Sequence, residues 1–241
     1  MLSNMSKPIP FLKRLFLPSS IRHRLHADTK LKNIYLNQSS LNSKKITHKS
    51  IADSRFIVLD TETTGLQAYA GDEIISIAML EYQGLDATGQ SYEQYINPQR
   101  AIPAEATAIH GITDSDVLTA PTLKELLPEI MDFIGDAILV GHHIQFDFRF
   151  LNKTLKPYLG IQLKNPWLDT MLLYLAHQGR LGHYSLEEVA AACHIQIRNR
   201  HTALGDAQAT ADIFSYLSGQ LCTLSNPIIN LINQQFSDGS I

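Results

Sequence analysis

The sequence lacks a long apolar run, and it contains little cysteine. No stretch of about 18 apolar residues occurs along its 241 residues, so we expect no transmembrane helix and no stable membrane insertion. The two cysteines, Cys193 and Cys222, do not have the spacing of a metal or redox motif. Free thiols are typical of a reducing compartment, and we therefore expect a cytoplasmic protein.

Acidic residues are almost absent from the first 50 residues, which contain ten Lys or Arg residues and one acid, Asp28. We interpret residues 1–50 as a basic extension that is solvated and partly disordered, and residues 223–241 as a short carboxy-terminal tail. Two alternatives for the extension are a mitochondrial-type presequence and a short amphipathic helix. The helix would use the apolar residues Phe11, Leu12, Leu15 and Phe16.

The rest of the chain is acidic, with ten Lys or Arg residues and 22 acids over residues 51–241. This balance argues against binding nucleic acid through broad electrostatic attraction. It does not argue against an enzyme that holds phosphate at one point through bound metal ions.

The body alternates between strand and helix patterns. Strand patterns lie at residues 55–60, 73–82, 91–97, 137–140 and 167–168. Helical stripes lie at residues 121–134, 144–155 and 203–221, and capping signals predict helices after Asp169 and after Ser185, with Glu188 completing a capping box. We expect an α/β fold with a mixed sheet, an antiparallel meander followed by parallel strands, flanked by helices.

Two carboxylates stand at the end of the first predicted strand. Side chains two positions apart on a strand share a face, so Asp60 and Glu62 leave the sheet together. Carboxylates this close repel each other unless a cation lies between them, and divalent cations prefer oxygen ligands. The alternative is a strand that runs into a polar turn at Gly65.

Three further candidates lie where predicted helices begin. Asp147 stands one turn into the helix after residues 137–140, and Asp206 stands early in the last helix, five residues after His201. The carboxyl ends of strands and the loops that follow them are where sites form in α/β sheets. Taken singly, the acids fit the helix dipole and the histidine fits a surface loop.

Four segments together match a known family, in order. They are DTETTG at 60–65, IHGIT at 109–113, GHHIQFDFRFL at 141–151 and HTALGD at 201–206. On these motifs the chain resembles the DnaQ-like 3′–5′ exonucleases, the DEDDh branch of the ribonuclease H-like superfamily, over about residues 54–222. Within that family it is similar to the proofreading epsilon subunits of bacterial DNA polymerase III.

The resemblance implies a role for each site residue. Asp60, Glu62, Asp147 and Asp206 would hold two divalent cations, Mg²⁺ or Mn²⁺, with Asp60 bridging them, and His201 would be the general base. Two ions can clamp the attacking and leaving oxygens of a phosphodiester, and an imidazole can take a proton near neutral pH.

The resemblance also implies a pocket for the terminal nucleotide, whose residues would otherwise serve only turn formation and packing. The residues are Thr63, Gly65, Leu66, Ile109, His110 and Phe146. The chain departs from the family pattern at His143, where the second motif usually carries Asn, and we expect this change to alter local hydrogen bonding and not the chemistry.

The function expected from these residues is hydrolysis of phosphodiester bonds at 3′ ends of single-stranded or frayed DNA, in proofreading or repair, with release of nucleoside 5′-monophosphates. One alternative is an exoribonuclease that trims RNA, similar to ribonuclease T. Another is a subunit associated with a DNA polymerase or a sliding clamp, and residues 220–224 (QLCTL) faintly resemble a clamp-binding peptide.

Overall fold

The computed structural model describes residues 17–237, and within them five strands form one mixed sheet in the order β3-β2-β1-β4-β5. The strands are β1 (Arg55–Thr63), β2 (Ile74–Gln83), β3 (Asp86–Tyr95), β4 (Ile138–Gly141) and β5 (Trp167–Asp169). Strands β1, β2 and β3 pair antiparallel, and β4 and β5 join the β1 edge in parallel. The mixed α/β sheet expected from the sequence is confirmed.

Helices flank this sheet, and the predicted capping residues begin two of them. The helices are α1 (Ser19–Ala27), α2 (Thr29–Ser40), α3 (Ser43–Thr47), α4 (Ala104–His110), α5 (Asp114–Val117), α6 (Leu123–Ile134), α7 (Gln145–Leu159), α8 (Thr170–Gln178), α9 (Leu186–Ala192), α10 (Ala203–Leu221) and α11 (Ile228–Gln234). The Asp169 carboxylate accepts from the Met171 amide at the start of α8, and Ser185 and Glu188 form the capping box of α9. Among the helices of residues 17–237, none is long and apolar enough to cross a membrane.

Strand β1 separates two hydrophobic layers, because its side chains alternate between the faces of the sheet. Ile57 and Leu59 pack in the layer that contains α6 and α7. Phe56 and Val58 pack in the layer that contains α8, α9 and α10, and the Phe56 ring lies 4.9 Å from that of Phe214. Continuing the alternation places Asp60 and Glu62 on the α10 side of the sheet.

The amino-terminal region corrects one expectation. Over the described residues 17–50, the basic extension is not a solvated tail: α1 and α2 bury five side chains in the layer of α6 and α7, namely Ile21, Leu25, Leu31, Ile34 and Tyr35. These apolar residues are widely spaced among lysines and asparagines, so their helical pattern is weak, but burying them stabilises the fold. The amphipathic helix considered around residues 11–16 lies outside the described residues.

The region after α10 also packs against the body. Ile228 and Leu231 of α11 are fully buried, and the Ile228 amide donates to the Lys49 carbonyl at 3.0 Å. The residues on both sides of the exonuclease-like segment therefore touch each other. The exact domain limits, 54–222 for the exonuclease-like part, stay a prediction.

Candidate active site

Three carboxylates converge at the carboxyl end of β1. One oxygen each from Asp60, Glu62 and Asp206 lie within 4.8 Å of one another. The strand supplies the first two from its α10 face, and the first turn of α10 supplies Asp206, which is buried. The residues of the first and third motifs are thus brought together from distant parts of the chain.

A fourth carboxylate, Asp147, reaches the same place from the other layer. It lies in the first turn of α7, is buried, and accepts a 2.6 Å hydrogen bond at Oδ1 from the Thr61 hydroxyl. Its charge is close enough to Asp60 to be the largest electrostatic contribution that raises the pKa of Asp60, after burial. The four predicted acids therefore surround the end of β1 from both faces of the sheet.

Burial raises the pKa values of all four acids, and repulsion from the other site acids adds to the rise at Asp60 and Glu62. Burial, then Asp147, Asp206 and Glu62, raise the pKa of Asp60 well above its usual value. Burial and the Asp206 charge raise the pKa of Glu62 to about 7, and burial raises that of Asp147 to about 7 against the hydrogen bond from Thr61. Burial likewise raises the pKa of Asp206. Such a cluster of hard oxygen donors with excess negative charge fits divalent cations such as Mg²⁺ or Mn²⁺.

One basic residue that the sequence reasoning missed touches the cluster. Arg200 forms an ion pair through Nη1 with Asp206, and its Nε donates to Glu187 Oε1 of α9 at 2.5 Å. Its positive charge opposes the rise of the pKa values of Asp60 and Glu62, and its hydrogen bond lowers the pKa of Glu187 to about 2. The only sequence signal for this residue is its position directly before His201.

His201 stands beside the carboxylates in an uncommon backbone conformation. Its φ is +63°, and its amide donates to Asp206 Oδ1 at 3.3 Å. The turn before α10 wraps tightly around Gly205, where an added Cβ would lie 2.2 Å from the Asn199 carbonyl oxygen. Thr202 caps the helix by accepting from the Gly205 amide at 3.0 Å. The position of the histidine is therefore fixed by the same turn that places Asp206.

The acids and His201 line one open cleft of about 570 Å³. Two of the predicted nucleotide-pocket residues, Leu66 and Phe146, also line it. A smaller cavity of about 250 Å³ lies on the other side of His201 and is lined by His110, whose Nδ1 accepts from the Ile112 amide at 3.0 Å. Burial lowers the pKa of His110.

The other three predicted pocket residues do not line this cleft. Ile109 is 60% exposed and borders neither cavity. Thr63 is buried, and its hydroxyl donates to the Gly65 carbonyl at 2.7 Å. An added Cβ at Gly65 would lie 2.4 Å from the Asp72 carboxylate, so glycine is required here by a contact within the protein.

The histidines of the second motif have separate structural roles. His143 has φ +59°, a left-handed conformation that asparagine tolerates well. This conformation explains why the second motif usually carries Asn where this chain has His143. Both ring nitrogens of His142 are occupied, by Thr170 Oγ1 at 2.9 Å and by the Tyr184 carbonyl at 3.0 Å. Burial lowers the pKa of His142 to about 4. A metal ion shared by the two adjacent histidines is not supported by this geometry.

Asp169 does more than cap α8. Its carboxylate also accepts from the amides of His143 and Ile144 at 3.1 Å each. The side chain therefore joins the end of β5 to the beginning of α7 and helps to fix the turn that carries Asp147. We infer its role to be structural, as the sequence suggested.

A family model described as "Exonuclease" matches residues 57–214. This chain belongs to the exonuclease family. The family expected from the four sequence motifs is therefore confirmed, and with it the exonuclease class of enzyme.

Two relatives are named as DNA polymerase III proteins. A "DNA polymerase III subunit epsilon-like protein" of Rhodobacter capsulatus is 41% identical over 162 residues, which is 66% of this chain and 23% of the relative. The "DNA polymerase III subunit epsilon" of Aquifex aeolicus is 35% identical over 68% of this chain and 81% of its own length. The chain thus spans about a quarter of the first relative and most of the second.

Solved structures share the fold at lower identity. An exonuclease X in complex with 5′ overhanging duplex DNA has a TM-score of 0.58 at 23% identity, covering 73% of this chain and 99% of that chain. Escherichia coli exonuclease I in complex with a dA16 oligonucleotide has a TM-score of 0.61 at 20% identity, and the match covers 69% of this chain and 41% of that chain. These likenesses show a common fold.

Proposed function

We propose that this exonuclease is a metal-dependent 3′–5′ enzyme that hydrolyses the terminal phosphodiester of single-stranded or frayed DNA. The observation that carries the proposal is the convergence of four acids, two of them buried and two partly buried, beside His201 in one open cleft. An acidic cluster alone would have a structural explanation. The histidine on the same rim, and the family to which the chain belongs, favour phosphodiester hydrolysis.

The donor set fits a pair of hard divalent cations, Mg²⁺ or Mn²⁺. Asp60, Glu62 and Asp206 would hold one ion, and Asp147 together with Asp60 would hold the other. When bound, such ions polarise the phosphoryl group and offset the charge of its transition state. The raised pKa values support this assignment, because burial and the neighbouring carboxylates disfavour the charged forms of Asp60 and Glu62 unless a cation binds them.

His201 would act as the general base. Its ring borders the cleft beside the four acids, where it can take one proton from the attacking water. The water oxygen forms a bond to phosphorus, the bond between phosphorus and the 3′ oxygen of the preceding nucleotide breaks, and the leaving oxygen takes up a proton from solvent. The products are a nucleoside 5′-monophosphate and a strand shortened by one residue with a new 3′ hydroxyl.

Preference for a strand end would come from the apolar wall of the cleft. Leu66 is 81% exposed and faces the same cleft as Phe146, so the two can contact the terminal base without reading its edges. Thr63, Gly65, Ile109 and His110 remain proposed contacts of the terminal nucleotide.

The names of the relatives favour DNA and a replication partner. Two are DNA polymerase III epsilon or epsilon-like proteins, and we therefore place this enzyme in proofreading or repair of DNA. Association with a polymerase or a sliding clamp is the second candidate role. Co-purification of the full chain with a polymerase would support it, and a monomer that degrades 3′ ends alone would contradict it.

A time course on end-labelled strands tests the proposal. With Mg²⁺ or Mn²⁺, a 5′-labelled DNA strand is expected to give a ladder that shortens from the 3′ end. A 3′-labelled strand is expected to release labelled 5′-mononucleotide at once. Internal fragments, trimming from the 5′ end, or the same rate in chelator would contradict the proposal, and faster hydrolysis of an RNA strand would contradict the choice of DNA.

A further inference from the structure

A loop beside the cleft presents a large aromatic ring to water. Tyr69 is 71% exposed and Leu66, three residues earlier, is 81% exposed. Both belong to the loop of residues 66–72, in which Ala68–Ala70 form one turn of 3₁₀ helix. Two large exposed apolar side chains on one short loop next to a binding cleft are a candidate contact surface.

The loop is held firmly from within, by the carboxylate of Asp72. Asp72 Oδ2 accepts from the Gln67 amide at 3.0 Å, and its Oδ1 accepts from the Thr64 hydroxyl at 3.2 Å. The same carboxylate occupies the space that a side chain at residue 65 would need, which explains Gly65. These contacts fix the loop directly after the end of β1.

Two cations hold the loop from outside. Arg100 Nη1 donates to the Gly71 carbonyl at 2.5 Å, and Lys153 of α7 donates to the Asp72 carbonyl at 2.7 Å. Ala68, within the loop, is itself buried. Because the backbone is anchored on several sides, the Tyr69 ring is exposed on an ordered support, which lowers the entropic cost of binding a ligand.

The loop lines a second groove of about 350 Å³ that continues from the cleft. Leu66 and Arg149 border both the cleft and the groove, whereas Tyr69 borders the groove and not the cleft. Arg149 is exposed, and its Nε donates to the Gln145 carbonyl at 3.1 Å. Over residues 17–237, no carboxylate forms an ion pair with Arg149. The groove thus offers an aromatic face and a guanidinium next to the acids.

We propose that Tyr69 and Arg149 form a subsite for the nucleotides upstream of the terminal one in a single strand. The Tyr69 ring stacks on an upstream base, and the Arg149 guanidinium binds an upstream phosphate. The terminal nucleotide lies among Leu66, Phe146 and the acids, so the strand passes Leu66 as it leaves the cleft. This inference rests on the proposed exonuclease function, and it names the residues that would make the enzyme prefer a strand to a single nucleotide.

Comparison of a long and a short substrate tests the role of Tyr69. The two substrates are an oligothymidylate and the p-nitrophenyl ester of thymidine 5′-monophosphate, which has no upstream nucleotide. Tyr69→Ala is expected to lower kcat/KM for the oligonucleotide about fivefold or more relative to the ester, and Tyr69→Phe is expected to restore it. Tyr216→Ala, an exposed tyrosine on α10 outside both grooves, serves as the matched control.

The salt dependence of binding tests the role of Arg149. Fluorescence anisotropy with a labelled oligothymidylate in chelator measures Kd without hydrolysis. Arg149→Gln is expected to weaken binding and to reduce the slope of log K against log salt by about 0.7, the value for one phosphate contact on a single strand. Arg22→Gln on α1, a helix whose Ile21 packs near Gly160 at the opposite end of α7, removes the same charge and is expected to leave the slope unchanged.

The outcomes separate the inference from the proposed function. The subsite would be overturned if Tyr69→Ala lost kcat/KM equally on both substrates. It would also be overturned if Arg149→Gln kept the Kd and the salt slope of the wild type. A wild-type protein that hydrolyses neither substrate would overturn the proposed function, and the anisotropy measurement would still decide whether the groove binds a strand.

Discussion

Thr61 holds Asp147 across the end of the sheet, because its hydroxyl donates a 2.6 Å hydrogen bond to Asp147 Oδ1. Thr61 lies between Asp60 and Glu62 and, by the alternation of β1, points to the opposite face. Residues 60–62 therefore direct the carboxylates of Asp60 and Glu62 toward α10, and Thr61 orients the carboxylate of Asp147 from α7.

Thr61→Val tests this relationship. The change keeps the shape of the side chain and removes the hydroxyl that donates to Asp147, so we expect binding of Mn²⁺ to weaken by about tenfold or more. The pKa of Asp147 should rise further, since the hydrogen bond favours the charged form. Calorimetric titration with Mn²⁺ measures the change.

A second threonine supplies the control. Thr210 in α10 is fully buried, and its hydroxyl has no hydrogen-bond partner among the residues that the structure describes. Thr210→Val is therefore expected to leave Mn²⁺ affinity unchanged. Equal affinities in Thr61→Val and the wild type would show that Thr61 does not orient the metal ligand.

The stability of the metal-free protein should fall as the pH rises. The folded chain keeps protons on its site carboxyls up to about pH 7, whereas the unfolded chain releases them near pH 4. The contribution of these carboxyls to the unfolding free energy is therefore largest at the acidic end of this window, and that contribution is lost as the pH passes through about 7. Melting temperatures in chelator at about pH 5.5 and about pH 8 measure the effect.

Mn²⁺ should reverse that trend, because the ion binds the charged carboxylates and its affinity increases with pH. Glu62→Gln should flatten the pH dependence in chelator, since it removes one of the titrating groups. A Glu62→Gln protein whose stability in chelator depends on pH in the same way as the wild type would contradict the raised pKa of Glu62.

Arg200→Gln should destabilise the protein mainly when metal is absent. In chelator Arg200 pairs with Asp206, and its loss leaves the acids without a nearby positive charge. Because Arg200 is about a third exposed, we expect a loss of roughly 1 kcal/mol in chelator and a smaller loss with Mn²⁺. Thermal unfolding in both conditions gives the comparison.

Arg55→Gln is the matched variant, because Arg55 is as exposed as Arg200 and also pairs with a glutamate, Glu81, away from the site. Its effect on stability should be the same with and without Mn²⁺. If the loss for Arg200→Gln were equally independent of Mn²⁺, Arg200 would not serve as the positive partner of the acids.

His201→Ala should keep metal binding and lose most turnover. Loss of a general base lowers the rate by about 10²–10⁴-fold, while the four carboxylates remain. The substitution also places alanine at φ +63°, which carries some backbone strain. Steady-state kinetics and a Mn²⁺ titration on the same preparation separate the two properties.

His194→Ala controls for that strain, since His194 is exposed and has φ +60° but lies outside the cleft. It should lose a similar amount of stability and no turnover. A His201→Ala enzyme with the full nuclease rate would remove His201 from the chemistry.

Leu25→Ala tests whether the amino-terminal helices belong to the core. Leu25 is fully buried, so its truncation should lower the unfolding free energy by about 2–5 kcal/mol. Leu118→Ala, at a leucine that is 71% exposed, should change stability little. Equal melting temperatures for the two variants would mean that α1 does not stabilise the folded body.

Much of the sheet and of the acid cluster could be predicted from the sequence. The apolar run from Phe56 to Leu59 and the stripe of α10 have strong periodicities, and the alternation rule placed Asp60 and Glu62 on one face. The motifs identified Asp147 and Asp206 because their spacing relative to glycine and histidine is restrictive. Local pattern and family motif pointed to the same edge of the sheet.

The remaining features depend on contacts that no local pattern encodes. The first residues of β3, Asp86 to Gln90, are exposed and have small or polar side chains, so the sheet pairing with β2 alone defines them as strand. The role of Arg200 could not be predicted from the sequence, because it depends on the ion pair with Glu187, which α9 places beside it. The need for glycine at position 65 could not be predicted either, because it depends on the Asp72 carboxylate, which packs against Gly65 in the folded chain.

Titration of the metal-free protein with Mn²⁺ tests the central claim most directly. We predict two bound ions per chain in the wild type and in His201→Ala. We predict a loss of both ions in Asp60→Asn, because the Asp60 carboxylate would bridge them in the wild type. An absence of Mn²⁺ binding in the wild type, or unchanged binding in Asp60→Asn, would contradict the account.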